Sequence, residues 1–262
     1  MVRGFAHLRY LWKRHGPRGA VSYLAAVSRG EIDYKTVWNG AAHRNAHDAI
    51  LTGATAESFE STARTDADLI ARYLRGGDAV LAIGCGVGRV EKYLAPRVKE
   101  LWAVDISGEM VRLARQRLAG LENVHVREVG NRDFLSVFEP ERFDLVFSLL
   151  VLQHLEREDA FLYLREARRV LKPGGTLVTQ FPNYLSPFYT RSFVEGATVE
   201  VRSPGRVRPY TESEVRHTLS LAGFEIRDLW LGGHADPTAE IYVAATCYPS
   251  RARATNDPPT TG

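Results

Sequence analysis

Residues 79–89 read Ala-Val-Leu-Ala-Ile-Gly-Cys-Gly-Val-Gly-Arg, an apolar run that stops at three glycines in alternate positions. The apolar run is typical of a buried strand, and helical spacing resumes after the last glycine. Glycines at such a turn tolerate positive φ angles and let a ligand approach bare backbone at the N-terminus of the following helix. The stretch therefore predicts a strand, a tight turn and a helix that together form a ligand site.

A carboxylate ends the next apolar stretch, residues 101–107, which contains Asp105. An acid at the end of the second strand of such a unit is placed to accept hydrogen bonds from a ribose diol. The alternative is structural: Asp105 caps the following helix, and the glycine turn only packs a helix on a strand. The glycine spacing alone does not decide between them.

The remaining chain continues to alternate strands and helices. Apolar spacing predicts a helix over residues 107–118, strands over 124–129 and 143–150, a helix over 160–171 ended by Lys172–Gly175, and a strand over 176–181. A capping box at Thr211 and Glu214 opens a further helix, and two closing strands follow at 224–231 and 240–246. The pattern predicts an α/β fold with a mostly parallel sheet.

The motifs LAIGCGVGR, LWAVDIS, VREVGNRDF, FDLVFSLLVLQHL and LKPGGTLVTQF occur in this order. Together they resemble the class I S-adenosylmethionine-dependent methyltransferases, in particular the small-molecule group labelled type 11, over Phe59 to Val243. The resemblance implies a Rossmann-like, seven-stranded, mostly parallel sheet with a final antiparallel hairpin and helices on both faces. Together with the helical pattern of the N-terminal region, it implies a helical cap over residues 1–58 and a methyltransferase domain over 59–248 with a substrate-side insertion at about 182–210. Residues 249–262 are polar, contain prolines and lack periodicity, which predicts a disordered tail.

The resemblance further implies S-adenosylmethionine as cofactor and assigns residues to it. The glycines would let the backbone approach its methionine end, Asp105 would hold the ribose hydroxyls, and Ile106 would lie against the adenine. The expected cofactor-binding residues are Gly84, Cys85, Gly86, Gly88, Asp105, Ile106, Met110, Asn131, Arg132, Ser148 and Leu149.

Two positions depart from the family pattern. Ala82 stands where the family usually has an acid, and Asn131 stands where an acid often meets the adenine amino group. The cofactor carries a sulfonium and an ammonium against one carboxylate, so each missing anion weakens its electrostatic stabilisation. A cofactor-binding protein with weak or no turnover is therefore a second hypothesis.

The candidate general base is His154, which follows the fourth strand at the family's active-site end. A hydroxyl acceptor needs such a base, whereas an amine needs only to be neutral. The alternative role of His154 is to hydrogen-bond a neighbouring backbone group. Tyr210 is a weaker catalytic candidate.

Aromatic side chains mark the predicted substrate side. Tyr34 and Trp38 lie in the N-terminal helical region, which often forms a lid in the family, and a sulfonium is attracted to aromatic faces. Tyr184, Phe188 and Tyr189 lie in the insertion and favour an apolar small molecule. For each residue, packing within the protein is the alternative.

Composition excludes several other classes of function. A formal net charge of +3 gives no support for a nucleic-acid partner, and the two cysteines provide neither a disulfide framework nor metal-ligand spacing. We expect no metal, no integral membrane segment, a cytoplasmic location and a monomer or homodimer. An apolar set within residues 5–12 predicts a helix that packs on the protein or lies on an anionic membrane.

Three function classes follow. The first is transfer of a methyl group to an O or N atom of a small molecule, with secondary metabolites among the candidates. The others are a macromolecular methyltransferase and a binding protein that kept the fold. The short glycine spacing and the closing hairpin disfavour a nucleotide-dependent dehydrogenase.

Overall fold

A single seven-stranded sheet organises the molecule. The computed structural model describes residues 33–130, 135–197, 206–233 and 236–247. The strands are β1 (Ala79–Ile83), β2 (Glu100–Asp105), β3 (Val124–Glu128), β4 (Phe143–Ser148), β5 (Leu171–Pro182), β6 (Phe224–Gly232) and β7 (Glu240–Cys247). Their order is β3-β2-β1-β4-β5-β7-β6, with β1 to β5 parallel and β7 antiparallel to both its neighbours. The predicted Rossmann-like sheet with its closing hairpin is confirmed.

Helices cover both faces of this sheet, because successive residues of each inner strand point to opposite sides. The α-helices are α1 (Tyr34–Ile50), α2 (Ala56–Ala71), α3 (Glu91–Leu94), α4 (Gly108–Arg117), α5 (Arg157–Val170), α6 (Pro187–Ala197) and α7 (Glu212–Leu221). In β1, Leu81 packs with buried residues of α5 and α7, whereas Val80 packs with those of α2 and α4.

The winding of the sheet places a crevice near its centre. From β1 the chain moves outward through β2 and β3, returns to β4 on the other side of β1, and then continues outward to β5. Helices that leave β1 and β4 therefore diverge, and ligands of such sheets bind outside the carboxyl ends of the strands at this point.

The fifth strand is longer than the sequence predicts. It begins at Leu171 instead of Thr176, so the tetrapeptide that was expected to end the preceding helix lies within β5. Leu171 pairs with Phe143 of β4, and Lys172 forms an ion pair of 2.8 Å with Asp144. These contacts to the neighbouring strand outweigh the turn preference of a proline followed by two glycines.

The insertion after β5 contains a helix that the aromatic pattern did not predict. In α6 a proline occupies the first helical position, and the Ser186 hydroxyl accepts a hydrogen bond of 3.2 Å from the Tyr189 amide. The capping box predicted for α7 is confirmed, since Thr211 and Glu214 exchange side-chain-to-backbone hydrogen bonds.

Several predictions fall outside the described residues: the helix over residues 5–12, the first part of the helical cap and the tail over 249–262. Within the described ranges, no helix has the length and apolar character needed to cross a bilayer. Cys85 and Cys247 are both buried and free.

Candidate functional site

A cavity of about 1000 Å³, including its mouth, opens at the carboxyl ends of β1, β2 and β4. It occupies the crevice at the centre of the sheet. Nine of the predicted site residues line it: Tyr34, Trp38, Gly84, Cys85, Gly86, Asp105, Ile106, Met110 and Leu149. Residues that the sequence placed in separate motifs are thus brought to one site.

The glycine turn leaves bare backbone on the cavity wall. Gly84 and Gly86 have φ angles of 74° and 55°, which favour glycine. A Cβ on Gly84 would lie 2.2 Å from a Val151 methyl carbon, and one on Gly86 would lie 2.8 Å from Cδ1 of Ile50. Gly88 is not a lining residue; a Cβ there would lie 2.7 Å from Leu118, so its role is to let the turn pack on the end of α4.

Asp105 joins the glycine turn to the end of β2. Its carboxylate accepts hydrogen bonds of 2.9 Å from the Gly86 amide and 2.8 Å from the Ser107 amide. Burial raises the pKa of Asp105 to about 6, although both amides oppose this shift. The carboxylate is therefore ionised above this pH and faces the cavity.

A second buried carboxylate, Glu91 at the start of α3, also lines the cavity. It is 2% exposed, and its Oε2 atom has no hydrogen-bond partner. Burial raises its pKa to about 7. The neighbouring Arg89 lines the same wall and forms a buried ion pair of 2.6 Å with Asp66.

Helix α1 covers the cavity and is fixed at several points. The Tyr34 hydroxyl donates to Asp159 at 2.7 Å and accepts from the Glu156 amide at 2.9 Å. Asn39 accepts a hydrogen bond of 2.7 Å from the Ser107 hydroxyl. Trp38 lines the cavity one helical turn after Tyr34. The aromatic residues of α1 thus form the wall opposite the glycine turn and the strand ends.

The end of β4 holds an unusual backbone conformation. Leu150 lines the cavity with a φ of 60°, and its amide donates a hydrogen bond of 2.7 Å to Gln180. A branched residue in this region costs energy and is held there by its surroundings. Ser148 is buried just before it and donates to the Ile83 carbonyl, so it does not line the cavity, whereas Leu149 does.

The two catalytic candidates lie behind the cavity wall. The His154 ring contacts the Trp38 ring edge-on at 4.7 Å, and its Nε2 lies 3.0 Å from the Gln153 amide nitrogen. Tyr210 packs against Phe181 and beneath Arg157, and its buried hydroxyl has no hydrogen-bond partner. Neither residue lines the cavity, although Trp38, which the His154 ring contacts, does.

The aromatic residues of the insertion surround a different space. Tyr184 and Tyr189 line a second, more open cavity between α6 and the segment before α7, whereas Phe188 is exposed. The two cavities share no lining residue among those described. The Tyr189 hydroxyl donates to Glu240 at 2.8 Å, so this residue has a structural partner.

Some residues that line the cavity were not predicted from the sequence, and two predicted site residues lie outside the described part of the chain. The sequence gives no signal for Glu91 and Arg89, because they follow the glycines at a position where charged residues commonly begin a helix. Tyr163 lines the cavity from α5 and was hidden in an apolar helical pattern. Asn131 and Arg132 lie outside the described residues. Within the described part of the chain, no cluster of His, Cys, Asp or Glu could hold a metal ion.

Comparison with known proteins shows which families this chain is similar to. Residues 81–179 match a family model described as "Methyltransferase domain". A ubiquinone/menaquinone biosynthesis C-methyltransferase UbiE of Chromobacterium violaceum is 37% identical over 124 residues, which cover 44% of this chain and 49% of the relative. The chain spans about half the length of the curated relatives that head this comparison.

Solved structures share the fold. The PH0226 protein of Pyrococcus horikoshii has a TM-score of 0.61 at 23% identity, with 74% of this chain and 92% of that protein covered. Magnesium protoporphyrin IX methyltransferase of Synechocystis, solved with bound SAH, has a TM-score of 0.58 at 20% identity and covers 83% of this chain and 89% of its own.

Proposed function

We propose that the central domain of this chain is a class I S-adenosylmethionine-dependent methyltransferase and that it transfers a methyl group from S-adenosylmethionine to a small molecule. One observation carries the proposal: the glycine turn, Asp105 and the aromatic residues of α1 surround one cavity at the switch point of the sheet. Its lining combines apolar and aromatic side chains with a few convergent polar groups, as in small-molecule sites.

The residues present fit this cofactor. Gly84 and Gly86 form a cradle that a Cβ would fill, and Glu91 offers an oxygen with no partner. Asp105 would hold the ribose hydroxyls, and Ile106 and Met110 would contact the adenine side. When bound, S-adenosylmethionine supplies a methyl group already activated on a sulfonium.

The protein's task is then mainly to place the acceptor. Positioning an acceptor atom about 3 Å from the methyl carbon in line with the bond that breaks supplies much of the rate enhancement. Tyr34 and Trp38 would cover the reacting groups and exclude water. His154 remains the candidate base for a hydroxyl acceptor, and its ring packs edge-on against Trp38, which lines the cavity.

We favour an O or N atom of an apolar small molecule as the acceptor, and the UbiE relative makes a carbon acceptor an outcome to test. The lining supports a small apolar acceptor, because Tyr34 and Trp38 of α1 and Tyr163 of α5 contribute aromatic side chains to the cavity wall. We keep the cytoplasm as the expected location. A binding protein without turnover is the second candidate, and Ala82 favours it.

Calorimetric titration of the full chain with S-adenosylhomocysteine tests the proposal. We expect one site per chain and a loss on the order of 1.5 to 3 kcal/mol for Asp105→Asn. Asp68→Asn, the same change in an exposed carboxylate of α2, should leave the affinity unchanged. No heat at high micromolar ligand would end the proposal. Methyl transfer from labelled S-adenosylmethionine to a panel of phenols, amines and quinols then separates an enzyme from a binding protein.

A further inference from the structure

We infer that Glu91 binds the ammonium group of the cofactor's methionine moiety and replaces the anion that is missing at Ala82. The inference rests on the proposed function. It starts from the buried Glu91 carboxylate on the cavity wall, which has an oxygen without a partner.

An unpartnered buried carboxylate oxygen is costly, because burial removes the water that would otherwise donate to it. Such a group needs an explanation in a native protein, and a ligand that supplies the missing donor is one for a carboxylate on a cavity wall. Glu91 is 2% exposed and directly follows the glycine turn, so the donor must come from inside the cavity. Ala82 is fully buried within the sheet, pairs with Ala103 and Phe147, and offers no charge.

Among the cofactor's polar groups, the ammonium fits this oxygen best. The sulfonium has no hydrogen to donate, and the ribose hydroxyls are assigned to Asp105. An ammonium offers three donors and a positive charge. The same moiety carries a neighbouring carboxylate, and Arg89 lies on the same wall of the cavity. The hydrogen bonds of Arg89 to Asp66 and Thr62 use two of its five guanidinium donors.

The charges around Glu91 make the interaction sensitive to pH. Arg89 and Arg117 favour its ionised form, whereas Asp105 opposes it and burial opposes it most strongly. With a pKa of about 7 in the absence of ligand, Glu91 loses its charge as the pH falls below neutrality. Asp105, with a pKa of about 6, titrates in an adjacent range and would affect any ligand that keeps the ribose.

Two ligands isolate the interaction. S-Adenosylhomocysteine carries the ammonium, whereas 5′-deoxy-5′-methylthioadenosine keeps the adenine and ribose but lacks the amino-acid end. For Glu91→Gln in the full chain, we expect the affinity for the first ligand to fall by about 10- to 100-fold and that for the second to stay within about twofold. Glu57→Gln, a change in an exposed carboxylate of α2, should alter neither.

The outcomes separate this inference from the proposed function. An equal loss for both ligands, or no loss for either, overturns the role of Glu91 while wild-type binding keeps the proposed function. A wild-type chain that binds neither ligand overturns both. Should Glu91→Gln fail to fold, the wild-type protein still decides. The ratio of its affinity for S-adenosylhomocysteine to its affinity for 5′-deoxy-5′-methylthioadenosine should fall by roughly tenfold from about pH 8 to about pH 6. A constant ratio contradicts the inference.

Discussion

Two buried carboxylates in this fold have opposite surroundings. Glu240, at the start of β7, has a donor on each oxygen: Tyr189 at 2.8 Å and Gln180 at 2.8 Å. Glu91, beside the glycine turn, leaves one oxygen without any partner. The first belongs to a network that joins β5, β7 and α6, whereas the second faces a cavity. The protein thus satisfies one buried charge with its own donors, and we infer that a ligand completes the other.

This contrast separates structural from ligand-binding regions better than burial does, because both carboxylates are at most 9% exposed. Around β5 and β7 the polar side chains fix the backbone, including the amide of Leu150 through Gln180. Around β1 the bare glycine backbone and the incompletely paired acid raise the free energy of the empty site. Ligand binding would recover that energy.

The largest loss of cofactor affinity should come from adding a side chain to the glycine turn. Gly84→Ala places a methyl 2.2 Å from Val151 in a backbone of positive φ, so we expect cofactor affinity to fall more than about 1000-fold because the turn must shift. Gly120→Ala is the matched control, since Gly120 also has a positive φ but nothing within 4 Å. Titration of both variants should show loss only for the first. Equal cofactor affinities for the two variants would show that the glycine turn does not contact the cofactor.

Stability should respond in opposite directions at the two carboxylates. Burial raises the pKa of Glu91 from 4.5 to about 7 in the folded state, so its contribution to stability is lost as the pH rises through this window. Glu91→Gln should then stabilise the ligand-free protein by about 3 kcal/mol at pH 8 and by little at pH 4. Glu240→Gln removes an acceptor and should destabilise it by about 1 to 3 kcal/mol.

Urea unfolding of the ligand-free variants measures both changes. A loss of stability for Glu91→Gln at pH 8 would show that the protein already satisfies this carboxylate, and the contrast with Glu240 would disappear.

His154→Ala tests whether this histidine is the general base of the reaction. If this residue is the base for a hydroxyl acceptor, the rate should fall about 100-fold while the affinity for S-adenosylhomocysteine stays the same. Steady-state kinetics on the acceptor found in the panel would measure it. A rate within about twofold of wild type, in a folded variant, assigns His154 to packing against Trp38.

The smallest effect should come from weakening the attachment of helix α1 over the cavity. Tyr34→Phe removes the hydroxyl that joins α1 to Asp159 and to the Glu156 amide. We expect a loss of about 1 to 2 kcal/mol in stability and a several-fold weaker affinity. Tyr73→Phe, which loses a hydrogen bond to Asp228 on the exposed side, should affect stability alone. Unchanged cofactor affinity in Tyr34→Phe would show that α1 does not close the site.

Periodicity and motif spacing predicted most of the fold. They also predicted the cavity wall that the glycine turn and the end of β2 form. Asp105 and the first two glycines were accessible to sequence reasoning because strand order fixes which strand ends meet. Other features depended on tertiary contacts that no local pattern carries. The early start of β5 depends on pairing between Leu171 and Phe143, and the placement of Tyr184 and Tyr189 on a separate cavity depends on α6.

Glu91 shows the same limit within the site itself. An acid in the first turn of a helix is common because it stabilises the helix dipole, so its sequence context gives no reason to expect burial. Only the packing of the turn against the helices around it shows that this carboxylate lies inside the protein with an oxygen unpartnered.

A crystal structure of the full chain with S-adenosylhomocysteine tests the central claim most directly. We predict the ligand in the cavity between the glycine turn and α1, with its ribose hydroxyls on Asp105 and its ammonium on Glu91. Ligand density elsewhere on the molecule, or an ammonium that points away from Glu91 toward solvent, would contradict the account.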